Sequence, residues 1–199
     1  LERDDLFDEH DRDQAVLDEA YRNVELKNLK PGGHLKGKYV DTTITPDSVR
    51  IENYEFLFDR RKNAFEEVMA YYHIDSVQRY IQSLGFKEEF GILEYPIKVN
   101  AHGSREDNSY YDPSPGEKGL TFGDGGVDDA EDADVILHEY GHAIQDAIVP
   151  GFGQTNEGAA MGEGFGDYLA CSFFYKYKKG QRRVKFAEWD AKGLQDGPE

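Results

Sequence analysis

No part of this 199-residue chain is better specified than Val135-Ile136-Leu137-His138-Glu139-Tyr140-Gly141-His142-Ala143-Ile144. Its apolar residues sit at helical spacing, and acidic residues Glu131, Asp132 and Asp134 precede it, where a helix N-terminus favours negative charge. Asp129 is the expected cap, and Pro150-Gly151 the expected stop near Ile148. On a helix, His138 and His142 stand four residues apart on one face, so both imidazoles can reach a single ion. Glu139 follows the first histidine and can lie beside an open coordination position, ready to take a proton from water. Gly141 costs the helix roughly 1 kcal/mol relative to Ala, and its missing side chain invites close packing from another element.

A catalytic site of this kind needs a third protein ligand. Gly162-Glu163-Gly164-Phe165-Gly166-Asp167 places a carboxylate 21 residues after His142, a distance suited to a helix–loop–helix return. Asp167 lies one turn beyond Glu163 and can accept the free ring N–H of a ligating histidine. Glu157 is the rival ligand; Glu163 is preferred because only it has an acid placed for that supporting role. The glycines flanking Glu163 call for close approach to the first helix. The second helix is expected over about residues 156–178.

The rest of the chain supplies a frame. A short helix is expected at about 13–27, ended by Pro31-Gly32-Gly33, and a strand at 38–45. Helical spacing runs from Glu55 to Leu84, with His73 as a packing histidine. Strands are expected at 91–101, 108–111 and 119–122, with Pro96 favouring an edge or an irregular position. Cys171 reads as a small buried hydrophobe, and residues 181–199 as an irregular end. With 40 Asp and Glu against 23 Lys and Arg, the formal charge is −17, which repels nucleic acid and anionic membranes. No apolar run is long enough to span a membrane, and no signal segment is visible. Residues 1–50 read as an N-terminal extension or the start of a sheet lobe, and 51–199 as the metal-binding lobe.

These paired motifs resemble the thermolysin-like zinc metallopeptidases, the gluzincins. Gly-Glu-Gly-Phe-Gly-Asp is most similar to the fungalysin branch and its bacterial relatives. The resemblance covers residues 56–175 and implies an α+β, zincin-like fold: the N-terminal catalytic lobe of a thermolysin-like peptidase. In it, a mixed sheet packs on long helices that carry the zinc ligands. It implies Zn2+ held by His138, His142 and Glu163, with Glu139 as general base and Asp167 supporting a ligand. Peptide bonds would be hydrolysed through metal-activated water. Asn108, Ser109 and Tyr110 resemble the edge strand that holds an extended polypeptide substrate, and an apolar primed-side residue is the family's preference. An extracellular or cell-envelope location is also implied.

Departures accompany the likeness. Gln154 stands where thermolysin has an oxyanion-assisting tyrosine. Calcium is disfavoured: Asp134 occupies a calcium-ligand position, but Phe173, Phe174 and Tyr175 replace the partner carboxylate. The C-terminal helical lobe is missing from these residues, so the chain alone is expected to bind zinc and hydrolyse peptides weakly or not at all. The competing reading is a non-catalytic zinc-binding or interaction module. It would need a fourth protein ligand, for which His102 is the candidate.

Overall fold

Ile97, Val99 and Ala101 alternate with Lys98, Asn100 and His102, the pattern of a strand with one buried face. In the computed structural model, which describes residues 17–191, this run is one of the two interior strands of a four-stranded sheet. The elements are β1 (Val40–Asp41), α1 (Ala64–Ser83), β2 (Ile97–Ser104), β3 (Tyr110–Asp112), β4 (Gly119–Gly123), α2 (Ala133–Ile148) and α3 (Asn156–Phe174). Sheet order is β1-β2-β4-β3. β1, β2 and β4 run parallel, and β3 returns antiparallel to β4, so the sheet is mixed.

The core lies between this sheet and the helices. Val99 and Ala101 of β2, with Leu120 and Phe122 of β4, meet Ala70, Tyr71, Ile74 and Val77 of α1 and Ile136, Leu137, Tyr140 and Ala143 of α2. A buried polar chain ties the two helices together. The Tyr140 hydroxyl donates to Gln78 Oε1 at 2.8 Å, and Gln78 Nε2 donates to the Ile92 carbonyl at 2.6 Å. Satisfying these groups inside the core fixes the rotation of α2 against α1.

Several elements differ from the expectations above. Residues 17–27 are a turn and an extended segment, while 13–16 lie outside the described residues. The extended path is held to α1 by Tyr71 donating to the Lys27 carbonyl and Asn28 donating to Asp75. α1 starts at Ala64, because buried Arg60 turns aside to pair with Glu131 at 2.9 Å. β1 shrinks to two residues. Beyond it, Glu67 of α1 accepts from Thr42, Ser48 and the Val49 amide, which holds the chain in a loop. β2 begins only after Pro96 and extends to Ser104 through an irregularity. Cys171 is half-buried rather than enclosed. His73 packs edge-on to Tyr72 and Phe174, and burial holds its pKa down at about 4.

His102 on β2 has a structural task. Its Nδ1–H donates to Asp124 at 2.6 Å and its Nε2–H donates to the Asn63 carbonyl at 2.9 Å, with Glu66 at 3.5 Å. Burial alone would lower its pKa, but Glu66, the Asn63 carbonyl and Asp124 outweigh this and push it up to about 10. The charged ring ties the start of α1 to β2 and the exit of β4. Its folded pKa lies above the unfolded value of 6.5. The stability it contributes is therefore fully present below pH 6.5 and is lost as pH rises through about 10. Thermal unfolding between pH 6 and 10 should show a falling Tm whose slope His102→Gln flattens; parallel curves for the two proteins would show that the ring is not charged.

Candidate metal centre

α2 is capped by Asp132, whose carboxylate accepts the Asp134 amide at 2.8 Å. Asp129, the cap expected from sequence, instead opens a short 3₁₀ turn, Asp129–Glu131, and turns its carboxylate to Ser109 at 2.5 Å. α3 is capped by Thr155, which accepts from Gly158 at 3.0 Å, and ends at Phe174, one turn earlier than expected.

The two helices touch backbone to backbone. A Cβ built on Gly141 would lie 2.9 Å from Gly166 Cα, and one on Gly166 would lie 2.8 Å from His138 Nδ1. A Cβ on Gly162 would come within 3.2 Å of His142 Nδ1. Gly158, Gly162, Gly166 and Ala170, four residues apart, thus form the buried seam of α3. Of the two glycines flanking Glu163, only Gly162 serves this contact; Gly164 faces open space.

This close crossing brings three side chains to one point. His138 Nε2 lies 3.0 Å from Glu163 Oε2, and His142 Nε2 lies 3.2 Å from His138 Nε2 and 3.5 Å from Glu163 Oε1. Bonds of about 2.0–2.1 Å in tetrahedral geometry would space donor atoms roughly 3.3 Å apart, so the three fit one small cation. Asp167 Oδ1 lies 2.9 Å from His138 Nδ1, where it can accept that ring N–H and leave Nε2 as the donor atom. Among the described residues no fourth side chain joins this group. Glu157 is exposed and outside it, and His102 is held by Asp124 and Asn63.

Glu139 is only 7% exposed. Burial first, then the negative charge of Glu163, push its carboxyl up to about 7, against the pull of the His138 ring and the Tyr111 backbone amide. Glu139 and the three donors line a cavity of about 610 Å³. Asn108, Ser109 and Tyr110 line it as well, as does Gln154 from the loop before α3. β3 is the edge strand, hydrogen-bonded within the sheet to β4 alone. The Ser109 hydroxyl, just before β3, donates to Asp129 on the same cavity wall, and the Tyr110 ring is exposed.

Sequence reasoning missed Asp146, one turn after His142 on the cavity wall. It accepts from Tyr111 Oη at 3.0 Å, Lys118 Nζ at 2.6 Å and the Gly151 amide at 3.0 Å, joining β3, the β3–β4 loop and the end of α2. Burial opposes its ionisation, but these donors hold its pKa below the usual range. Its position, four residues past a ligand candidate, was the available signal. The chain after α3 was also missed. It folds back so that Ala187 donates to Asp134, and Trp189 and Asp190 donate through backbone N–H groups to Asp132. Lys178 Nζ meets Asp134 at 2.5 Å, so an ammonium occupies the place expected for calcium and the residues do not fit that ion.

The fungalysin metallopeptidase (M36) family profile matches residues 18–197. The chain belongs to the fungalysin metallopeptidase family. The match extends past both ends of the segment 56–175 on which the resemblance was carried, taking in β1 and the returning C-terminal segment. The chain is also 28% identical to "Extracellular metalloproteinase 1" of Phaeosphaeria nodorum, over 59% of this chain. It spans about 23% of the length of that curated relative. Its described residues have a mixed α+β build, a four-stranded mixed sheet with three α-helices. None of its described helices is long and apolar enough to cross a membrane.

The helix crossing yields a paired test. Gly166→Ala should cost about 1–3 kcal/mol and weaken metal binding, because its methyl group would displace His138. Gly164→Ala should be neutral or gain up to about 1 kcal/mol from helix propensity, since open space surrounds it. Equal effects in chemical denaturation would contradict the close-crossing account.

Proposed function

We propose that this chain is the metal-binding lobe of a zinc endopeptidase, with His138, His142 and Glu163 as ligands and Glu139 as the general base. The observation that carries the reading is the convergence of three donor atoms at 3.0–3.5 Å beside a buried carboxylate, in a cavity bordered by an edge strand. Two imidazoles and one carboxylate are a donor set that zinc accepts, and three protein donors leave room for water or substrate. A closed structural site would call for four protein ligands, so the non-catalytic alternative has less support.

A bound zinc ion supplies Lewis acidity, polarising a carbonyl and lowering the pKa of water. The chain's own residues do the rest. Glu139, buried and with a pKa raised toward neutrality, accepts the proton of the attacking water and delivers it to the departing amide nitrogen. Asp167 holds His138 in the tautomer that presents Nε2. The edge of β3 that faces away from β4 pairs with an extended peptide by backbone hydrogen bonds, which orients the scissile carbonyl. Asn108 and Tyr110 flank that edge at the cavity wall.

The whole protein's activity includes a further lobe in this proposal. The outward side of α3 exposes Met161 (63%) and Tyr168 (68%), apolar surface suited to such a partner. An extracellular setting is proposed on the printed name of that relative.

The 199-residue chain should bind one zinc per molecule by elemental analysis. Binding should fall by at least tenfold in His138→Ala, since one of three ligands is lost. Glu139→Gln should keep the metal and abolish any peptide hydrolysis. The chain alone should turn over peptides poorly; robust turnover by it, abolished in Glu139→Gln, would contradict the need for a further lobe. Full zinc binding by His138→Ala would overturn the ligand assignment.

A further inference from the structure

Tyr111 of β3 is held by α2 at both of its ends. Its backbone amide donates to the Glu139 carboxylate, and its hydroxyl donates to Asp146 Oδ2 at 3.0 Å. Seven residues separate Glu139 from Asp146, which puts the two on one face of α2, about 10 Å apart along its axis. We propose that Asp146 is a positioning residue for the peptidase reaction: by holding the Tyr111 hydroxyl it keeps the Tyr111 amide on Glu139, and so aims the general base. The proposal rests on the peptidase reading and deepens it.

The geometry gives both partners a need for this link. β3 is three residues long and is bonded within the sheet to β4 alone. Those bonds set its register against β4 but not its distance from α2. A glutamate carboxylate, for its part, turns easily about its last torsion unless a donor holds it. Tyr111 supplies such a donor from the strand that borders the cavity. Its ring is partly buried against the core, which makes it a stiff connection between its two ends.

Asp146 is built as a fixed point. It is 8% exposed, and three donors hold its carboxylate. Tyr111 Oη and Lys118 Nζ, the latter at 2.6 Å, meet Oδ2, while the Gly151 amide meets Oδ1 at 3.0 Å. Lys118 answers the negative charge, and the amide on the other oxygen fixes the plane of the carboxylate. Oδ2 therefore has a defined place for the tyrosine hydroxyl, the kind of support that holds a reacting group in line. Asp146, Tyr111 and Glu139 all line the same cavity, so the link borders the site that it organises.

The test uses the zinc-loaded, full-length protein that carries this chain. Tyr111→Phe removes one hydroxyl and leaves the ring and the amide; Asp146→Ala removes the acceptor. Each should lower kcat about tenfold or more, as a misaimed catalytic group would, while KM stays within about twofold and zinc content is unchanged. The double variant should lose no more than the larger single loss, since both substitutions break one link. Asp146→Asn keeps an oxygen acceptor and should recover part of the kcat lost in Asp146→Ala. Hydrogen–deuterium exchange at the amide of residue 111, read by mass spectrometry, should quicken about tenfold in Tyr111→Phe. That variant carries the test should Asp146→Ala fail to fold. Unchanged kcat in Tyr111→Phe would overturn the positioning role, as would losses that multiply in the double variant. A loss of zinc or a rise in KM that accounts for the whole effect would overturn it as well. Faster exchange at residue 111 in Tyr111→Phe, with no peptide hydrolysis by the unmodified protein, would sustain the link to Glu139 while refuting the peptidase reading.

Discussion

The backbone contact between α2 and α3 at Gly141 and Gly166 is the constraint on which the site depends. A hypothetical Cβ at either position falls within 3.0 Å of the opposing helix. Only this approach lets the short carboxylate of Glu163 reach two imidazoles that project from another helix. The glycine seam lowers intrinsic helix propensity, and tertiary packing compensates: α2 is buried through Ile136, Leu137 and Tyr140, while α3 is capped by Thr155 and buried along its seam. Rigidity follows from the same contact. Three donors at 3.0–3.5 Å are positioned by two helices and the core behind them, which is the preorganisation a metal site needs.

A chain with a formal charge of −17 must also keep its buried acids from repelling one another. Near the start of α2 it does so with internal donors. Glu131 pairs with Arg60 and accepts the Trp189 indole N–H, Asp132 accepts three backbone amides, and Asp134 meets Lys178. His102 answers Asp124 and Glu66 in the same way at the other side of the 3₁₀ turn. The returning segment, residues 187–190, thus supplies part of the stabilisation at the start of α2.

The parts of the fold that sequence revealed are those governed by local periodicity. Helix α2, most of α3, and the strands expected at 108–111 and 119–122 and found at 110–112 and 119–123 follow from spacing, as does the sharing of one face by His138 and His142. So does the approach of Glu163 and Asp167. What escaped was set by long-range partners. Asp129 reads as a helix cap until Ser109 and Gly123 claim its carboxylate, and residues 55–63 read as helix until Arg60 turns to Glu131. Segment 17–27 carries a helical pattern, yet its path is dictated by Tyr71 and Asp75 of α1. Residues 181–191 have no period, and their position comes from backbone donors that pair with acids more than fifty residues earlier. Gly164 shows the complementary error: it sits in a glycine-rich motif, but only its neighbours Gly162 and Gly166 serve the contact.

Diffraction from crystals grown with zinc, recorded on both sides of the zinc absorption edge, tests the central claim most directly. The account predicts one anomalous peak bonded to His138 Nε2, His142 Nε2 and Glu163, with the remaining position facing Glu139 and filled by solvent or ligand. A fourth protein ligand on that ion, or a peak away from these three side chains, would contradict it.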